Sequence, residues 1–325
     1  MGNNVGFLAE FATAGPTRSA LELTAGAAAL AAESGGAAVA LAYGPGAADA
    51  ADLGPAGAGR AVVLGTDAAP AISVAGTLAA AVAAGDFAVL LAPATPNGRD
   101  LAAALVGLHG LPAFGPVRAV SLAGGTVRCE QSTLQGAVIT MSEPAEGAAG
   151  PAVVLVAANT FSPREPAGGA AAVTTAVPVD SPFGQARIVE SQVETAAIAA
   201  LEEADIIVAG GRGTGGEAGF AALRELAEVL GGAVGASRAA ADAGWVPYQL
   251  QIGQTGKVVK PALYFAAGIS GAIQHRVGMQ AAEHVVAINR DPDAPIGEFA
   301  DLFVVGDLFQ IVPALTAELR RRSQA

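Results

Sequence analysis

Residues 235–275 read GASRAAADAGWVPYQLQIGQTGKVVKPALYFAAGISGAIQH, and the reading of this run decides the fold. Three small, Gly-rich, hydroxyl-bearing loops lie in it: Gly235-Ala236-Ser237-Arg238, Gly253-Gln254-Thr255-Gly256 and Gly268-Ile269-Ser270-Gly271-Ala272-Ile273-Gln274-His275. Short apolar, strand-like runs precede or separate them. Glycine lets backbone approach a ligand closely, and a helix start offers free N–H groups to phosphate. The polar residues Ser237, Arg238, Gln254, Thr255, Ser270, Gln274 and His275 are sparse and oddly placed for so Ala-rich a chain. The pattern points to a nucleotide cradle rather than a core.

Working upstream, Ile206–Ala209 reads as a buried strand, followed by Gly210-Gly211-Arg212-Gly213 and a helix over 217–230. Phe220, Leu223, Ala227 and Leu230 mark one face of that helix. Gly211, Gly213 and Gly216 satisfy the dinucleotide spacing, but in a chain with 43 glycines chance matches are common. The acidic residue expected after the next strand is missing, because Ala233–Gly235 runs into Ala236-Ser237-Arg238, so an NAD-type site fits poorly. Gly253-Gln254-Thr255-Gly256-Lys257 likewise fails as a phosphate loop: Gln251 stands where Gly is needed and Val258 where a Ser/Thr would reach Mg²⁺. Downstream, Leu263–Ala267, Val285–Ile288 and Leu302–Val305 are further strands, and Leu308–Arg321 a closing helix. In the first half, strands alternating with helices imply a mostly parallel sheet with helices on both faces.

The run 235–275, with Gly210–Gly213, Ala287-Ile288-Asn289-Arg290-Asp291-Pro292-Asp293-Ala294-Pro295-Ile296 and Gly306-Asp307-Leu308-Phe309, resembles the FAD-binding domain of the electron-transfer flavoprotein alpha subunit. The specific likeness covers roughly the last third of the chain. It implies an α/β protein of two three-layer domains, the C-terminal one a Rossmann-like parallel sheet binding FAD. The domains expected are 1–188, an N-terminal partner-subunit interface ending in a linker, and 189–325.

The resemblance also assigns residues to the cofactor. Ile252, Gly253, Gln254 and Thr255 would lie by the isoalloxazine ring, with Thr255 near its N5 edge. Arg238 would lie against the ring and favour its reduced, anionic form; by itself it reads as a surface charge. His275 would hydrogen-bond the pyrimidine end, whereas alone it reads as a satisfied polar group. Arg212, Ser237 and the loop Ser270, Gly271, Ala272, Ile273 and Gln274 complete the flavin and pyrophosphate contacts. Asn289, Asp307 and Leu308 would surround the adenosine, although capping or a turn explains the first two as well.

As implied partners, a beta subunit would complete a heterodimer, flavin dehydrogenases would donate electrons, and a quinone oxidoreductase or another acceptor would remove them. An electron-bifurcating version with a second flavin in the beta subunit, or an NAD- or AMP-binding enzyme or sensor on the same fold, stays open. The residues show no Ser-His-Asp set or carboxylate array, so a carrier without a substrate-transforming site is expected. Gln131–Gly136, Ala158–Phe161 and Thr214–Phe220 depart from the family pattern and leave the electron donor open.

In the first half, strands are expected at Val5–Ala9, Ala37–Ala42, Ala61–Leu64 and Phe87–Leu91. The helices between them are expected at 17–33, capped by Thr17, and at 71–84, with a third capped by Asn97–Asp100 and running to Leu108. Val117–Leu122, Thr126–Glu130 and Ala137–Thr140 read as antiparallel strands, and Val153–Ala157 as one more. The Pro-, Gly- and Ser-rich segment 158–185, with a β-prone patch at Val173–Val179, reads as the end of the first domain plus a linker, and a helix is expected around 192–202.

The formal net charge of -12 argues against a nucleic-acid partner. One cysteine, Cys129, excludes an intrachain disulfide, and it reads as a half-buried small apolar residue. Three scattered histidines make a metal site improbable. The N-terminus has no signal-like pattern, and Ala25–Ala32 and Ala79–Ala84 are too short to span a bilayer. No membrane insertion and a cytoplasmic location are the expectation.

Overall fold

The computed structural model describes residues 2–66, 70–133, 138–164, 166–185, 187–190, 201 and 204–323. The chain divides into two compact units, residues 1–191 and 192–325.

In the first unit the strands are β1 (Asn4–Ala12), β2 (Gly15–Pro16), β3 (Ala38–Tyr43), β4 (Arg60–Gly65), β5 (Phe87–Pro93), β6 (Ala113–Val117), β7 (Ala119–Ala123), β8 (Thr126–Thr133), β9 (Val138–Ser142), β10 (Ala152–Val156) and β11 (Ala172–Thr175). The helices are α1 (Arg18–Ser34), α2 (Ala75–Ala84) and α3 (Pro96–His109). A parallel sheet runs in the order β11-β4-β3-β1-β5-β10-β6, with β2 folded back antiparallel on β1. Strands β1, β3 and β5 are apolar on both faces because both are covered. Leu23 and Ala27 of α1 pack on one side, Leu78 of α2 and Leu101 of α3 on the other. Strands β7, β8 and β9 form a separate antiparallel sheet, and their short connections permit nothing else.

Thr17 caps α1 as its sequence predicts, its hydroxyl accepting from Ala20 N, and Gly35 ends the helix in the left-handed region. For α3 the expected cap at Asn97–Asp100 is replaced by Thr95, whose hydroxyl accepts from Gly98 N. Pro96 supplies the first helical residue, where its missing N–H costs nothing. The expected strand Val117–Leu122 is broken at Arg118 into the end of β6 and the start of β7.

Within the segment read as domain end plus linker, the β-prone patch forms a strand at Ala172–Thr175. These residues are β11, an edge strand paired parallel with Arg60–Val63 of β4. All four are exposed, so no alternation marks them. Within Ala158–Phe161, which departs from the family pattern, Asn159 takes a positive φ of 62°. Its N–H donates to the buried Glu22, and Arg18 donates to its side chain. Gly107 lies exposed inside α3 with open space around it. Gly107→Ala is expected to stabilise the chain by about 0.5–1 kcal/mol in urea unfolding, because the helix meets no new contact and the unfolded chain loses freedom.

In the second unit the strands are β12 (Ile206–Gly210), β13 (Ala233–Ala236), β14 (Leu263–Ala267), β15 (His284–Asn289) and β16 (Leu302–Val305). The helices are α4 (Glu217–Leu230), α5 (Arg238–Asp242), α6 (Ile273–Met279) and α7 (Leu308–Ser323). Apart from Leu201, the helix expected around 192–202 lies outside the described residues. All five strands are parallel, in the order β13-β12-β14-β15-β16. Val208 and Phe265 face a core with α4 and α7, while Ile207, Ala209 and Tyr264 face a second core with Met279 and Ile296. The unit is therefore a three-layer, Rossmann-like α/β sandwich. No helix among the described residues is long and apolar enough to cross a membrane.

Candidate functional site

After β12 the chain turns to β13 on one side, whereas β14 pairs on the other. Open parallel sheets leave a crevice at the carboxyl ends of their strands at such a reversal. A cleft of ≈ 680 Å³ lies there, within the usual range for small-molecule and cofactor pockets. Its walls come from the residues following β12 (Arg212, Gly213), β13 (Ser237, Arg238) and β14 (Gly268, Ile269, Ser270), and from Asn289 at the end of β15. The loop Gln251–Thr255 closes one side.

Of the residues expected at a cofactor, Arg212, Ser237, Arg238, Ile252, Gly253, Gln254, Thr255, Ser270, Ala272, Gln274, His275 and Asn289 line this one cleft. Gly271, Ile273, Asp307 and Leu308 do not. Gly271, at φ +83°, packs against Ile296, where a Cβ would come within 2.4 Å of the backbone nitrogen. Ile273 is turned to solvent. Asp307 caps α7 by accepting from Phe309 N and pairs with Arg290 at 2.6 Å; the backbone bond first, then the arginine, lowers its pKa. Leu308 is buried in the core beside α4. Gln251, Asp242 and Asp291 line the cleft without having been expected. Polar residues in a loop or a short helix carry no sequence mark that separates a cleft wall from a solvated surface.

Ser237 is the most telling wall residue. Its N–H donates to Gly210 O at 2.9 Å, which ties β13 to β12. Its hydroxyl is buried, yet among the described residues Oγ has no hydrogen-bond partner. A buried polar atom left unpaired costs about 1–3 kcal/mol, so a ligand that meets it recovers that cost. Thr255 is exposed, and its hydroxyl accepts from Gln251 Nε2 at 3.0 Å. Asn289 turns inward: Nδ2 donates to Ile269 O, and Oδ1 accepts from Asp291 N.

His275 is buried, with both ring nitrogens engaged. Nδ1 lies 3.1 Å from Ile252 O and Nε2 2.9 Å from the Tyr264 hydroxyl. A carbonyl oxygen only accepts, so Nδ1 carries the proton. Burial pushes the ring pKa down to about 4, against the opposing Ile252 bond, so Nε2 is bare near neutrality. Tyr264, fully buried, therefore donates to it, and burial raises the tyrosine's own pKa. The expected hydrogen bond from His275 to a ligand has no spare ring N–H to use. It would have to share one already given to Ile252.

A Rossmann-like sheet with two arginines and an unpartnered buried hydroxyl at its switch-point crevice belongs to the class of nucleotide-cofactor-binding α/β proteins. Comparison with known families narrows the class. Residues 5–182 match the electron transfer flavoprotein domain, and residues 200–280 the electron transfer flavoprotein FAD-binding domain. The electron transfer flavoprotein subunit alpha of Mycobacterium leprae is 41% identical over 259 residues, covering 75% of this chain and 74% of that protein. The Paracoccus denitrificans counterpart is 39% identical over 245 residues, covering 73% and 74%. The Thermoanaerobacterium thermosaccharolyticum counterpart is 61% identical over 121 residues, a stretch that spans 37% of each chain. The chain belongs to the electron transfer flavoprotein alpha-subunit family, whose C-terminal domain binds FAD.

Proposed function

We propose that this chain is the FAD-holding half of a heterodimeric electron carrier of the cytoplasm. Its N-terminal domain meets a beta subunit, flavin dehydrogenases deliver electrons, and a quinone oxidoreductase or another acceptor removes them. The observation that carries the reading is the buried, unpartnered Ser237 hydroxyl in the switch-point cleft. The match of residues 200–280 to an FAD-binding domain supports FAD as the ligand of that cleft. Bound FAD supplies a reversible redox centre.

The protein's work is to hold and tune that centre. Ser237, Ser270 and Arg212 are suited to the negatively charged pyrophosphate. Thr255 and the backbone around Gly253 offer polar groups to the flavin, and Asn289 braces the adenosine end of the cleft. His275 meets the ligand as a neutral ring, which leaves Arg212 and Arg238 as the cations of the described cleft wall. These holding and tuning roles support the reading of a chain that carries electrons rather than transforming a substrate of its own.

Co-expression with the beta subunit tests the reading. A yellow complex that releases one FAD per heterodimer is expected. A colourless complex that fails to take up added FAD overturns it. Within the loaded complex, Arg238→Ala is expected to lower the flavin midpoint potential while leaving FAD bound. The shift is on the order of 60 mV, the one-electron equivalent of about 1.4 kcal/mol. An unchanged potential removes the role given to Arg238.

A further inference from the structure

Asp242 stands one helical turn after Arg238 on α5 and lines the same cleft. Arg238 Nε donates to its Oδ2 at 3.3 Å, and the Tyr248 hydroxyl donates to its Oδ1 at 3.1 Å. One carboxylate is thus held from both sides at the cleft lip, by the cation and by a phenol from the following turn. The contact engages the guanidinium at Nε. We propose that Asp242 is the positioning residue and counter-charge for Arg238, fixing the guanidinium at the cleft wall and limiting the positive potential it exerts on a bound flavin. The inference rests on the reading of the cleft as an FAD site.

Electrons arriving in the cleft add negative charge, which a cation stabilises and an anion opposes. An arginine in contact with a carboxylate acts on the cleft more nearly as a dipole than as a full charge. Both partners are substantially exposed as the chain stands, with side-chain exposures of 66% and 48%, so solvent screens the pair. A ligand laid over them removes that water and strengthens whatever net charge remains.

Two substitutions separate charge from position. Asp242→Asn keeps an oxygen that accepts from Arg238 and an amide that reaches Tyr248, and it loses only the negative charge. Asp242→Ala loses the charge and the tether together. The heterodimer carrying each variant is poised at a fixed applied potential, and its flavin is titrated spectroelectrochemically. The ratio of reduced to oxidised flavin is expected to rise about threefold to tenfold in Asp242→Asn, with a smaller rise in Asp242→Ala because Arg238 is released. A rise that shrinks at high salt supports the charge assignment.

A ratio in Asp242→Asn equal to or below that of the unsubstituted complex, with one FAD still released per heterodimer, overturns the proposal. Equal ratios in the two variants overturn its positioning half. An unsubstituted complex without FAD overturns the reading of the cleft itself, and the assay of released FAD tells that failure apart from the others.

Discussion

Gly211→Ala is expected to cost the C-terminal unit about 3 kcal/mol or more, and to abolish FAD uptake with it. The methyl group would lie 2.2 Å from Gly268 O and 2.7 Å from Gly268 C and Ile269 Cα. All three are backbone atoms, so no rotamer change relieves the contact. The loops after β12 and β14 are also laced together at this point. Gly211 N donates to Ala267 O, and Gly213 N to Gly268 O, each at 2.9 Å. Parting the backbones therefore breaks the hydrogen bonds that hold the two cleft walls in register. The control is Gly215→Ala in the same turn. Gly215 sits at φ +70° with nothing within 4 Å of an added Cβ, so its substitution costs only the left-handed penalty of about 1 kcal/mol. Urea midpoints for the two variants check the claim. Equal losses would mean that the Gly211–Gly268 approach yields without difficulty and does not set the cleft.

Gly211 also shows how far the residues alone could be read. Its place in a Gly-x-Gly-x-x-Gly pattern suggests a backbone kept bare for phosphate. In the folded chain its bareness admits another strand's loop, and that demand comes from a residue 57 positions away in sequence. The elements that were legible are those whose cause is local. Helix 217–230 announces itself by its apolar face and its Gly boundaries, and Leu263–Ala267 and Leu302–Val305 by short apolar runs between turns.

What escaped reading has non-local causes. Strand β11 showed only as a β-prone patch; that it joins the sheet could not be read, because β4 offers it an edge from more than a hundred residues earlier. Helices α5 and α6, of five and seven residues, are too short to show a period. At the cleft, the Gly-rich loops and their hydroxyls could be picked out because small and polar residues stand out in an Ala-rich chain. Asp242 could not, since its charge resembles any surface acid until Arg238 and Tyr248 are seen on either side of it. Tyr264 was hidden more thoroughly, because within Leu263–Ala267 it reads as one more apolar strand residue.

The Tyr264–His275 pair carries the largest expected pH effect. The folded-state pKa of His275 is about 4, below the ordinary 6.5, because burial penalises the charged ring. Between those values the unfolded chain takes up a proton that the folded chain refuses, so stability rises with pH across the window. The contribution is fully present above about pH 6.5 and is lost as pH falls toward 4. It amounts to about 3 kcal/mol at most. His275→Asn, whose amide can still donate to Ile252 O, removes the titration while keeping one of the two hydrogen bonds. Urea unfolding of both proteins from pH 7 to pH 4.5 is the measurement. The unsubstituted chain is expected to lose more stability than the variant, since every other titrating group is common to the two and cancels; parallel curves would refute the assignment. Tyr264→Phe separates the causes. It strips Nε2 of its donor and is expected to cost about 1–3 kcal/mol at pH 7. Its pH slope should nevertheless stay close to the unsubstituted one, because burial, the dominant cause of the depressed pKa, is left in place. A slope that vanished in Tyr264→Phe would instead make the tyrosine hydroxyl, and not the apolar surroundings, the reason His275 stays neutral.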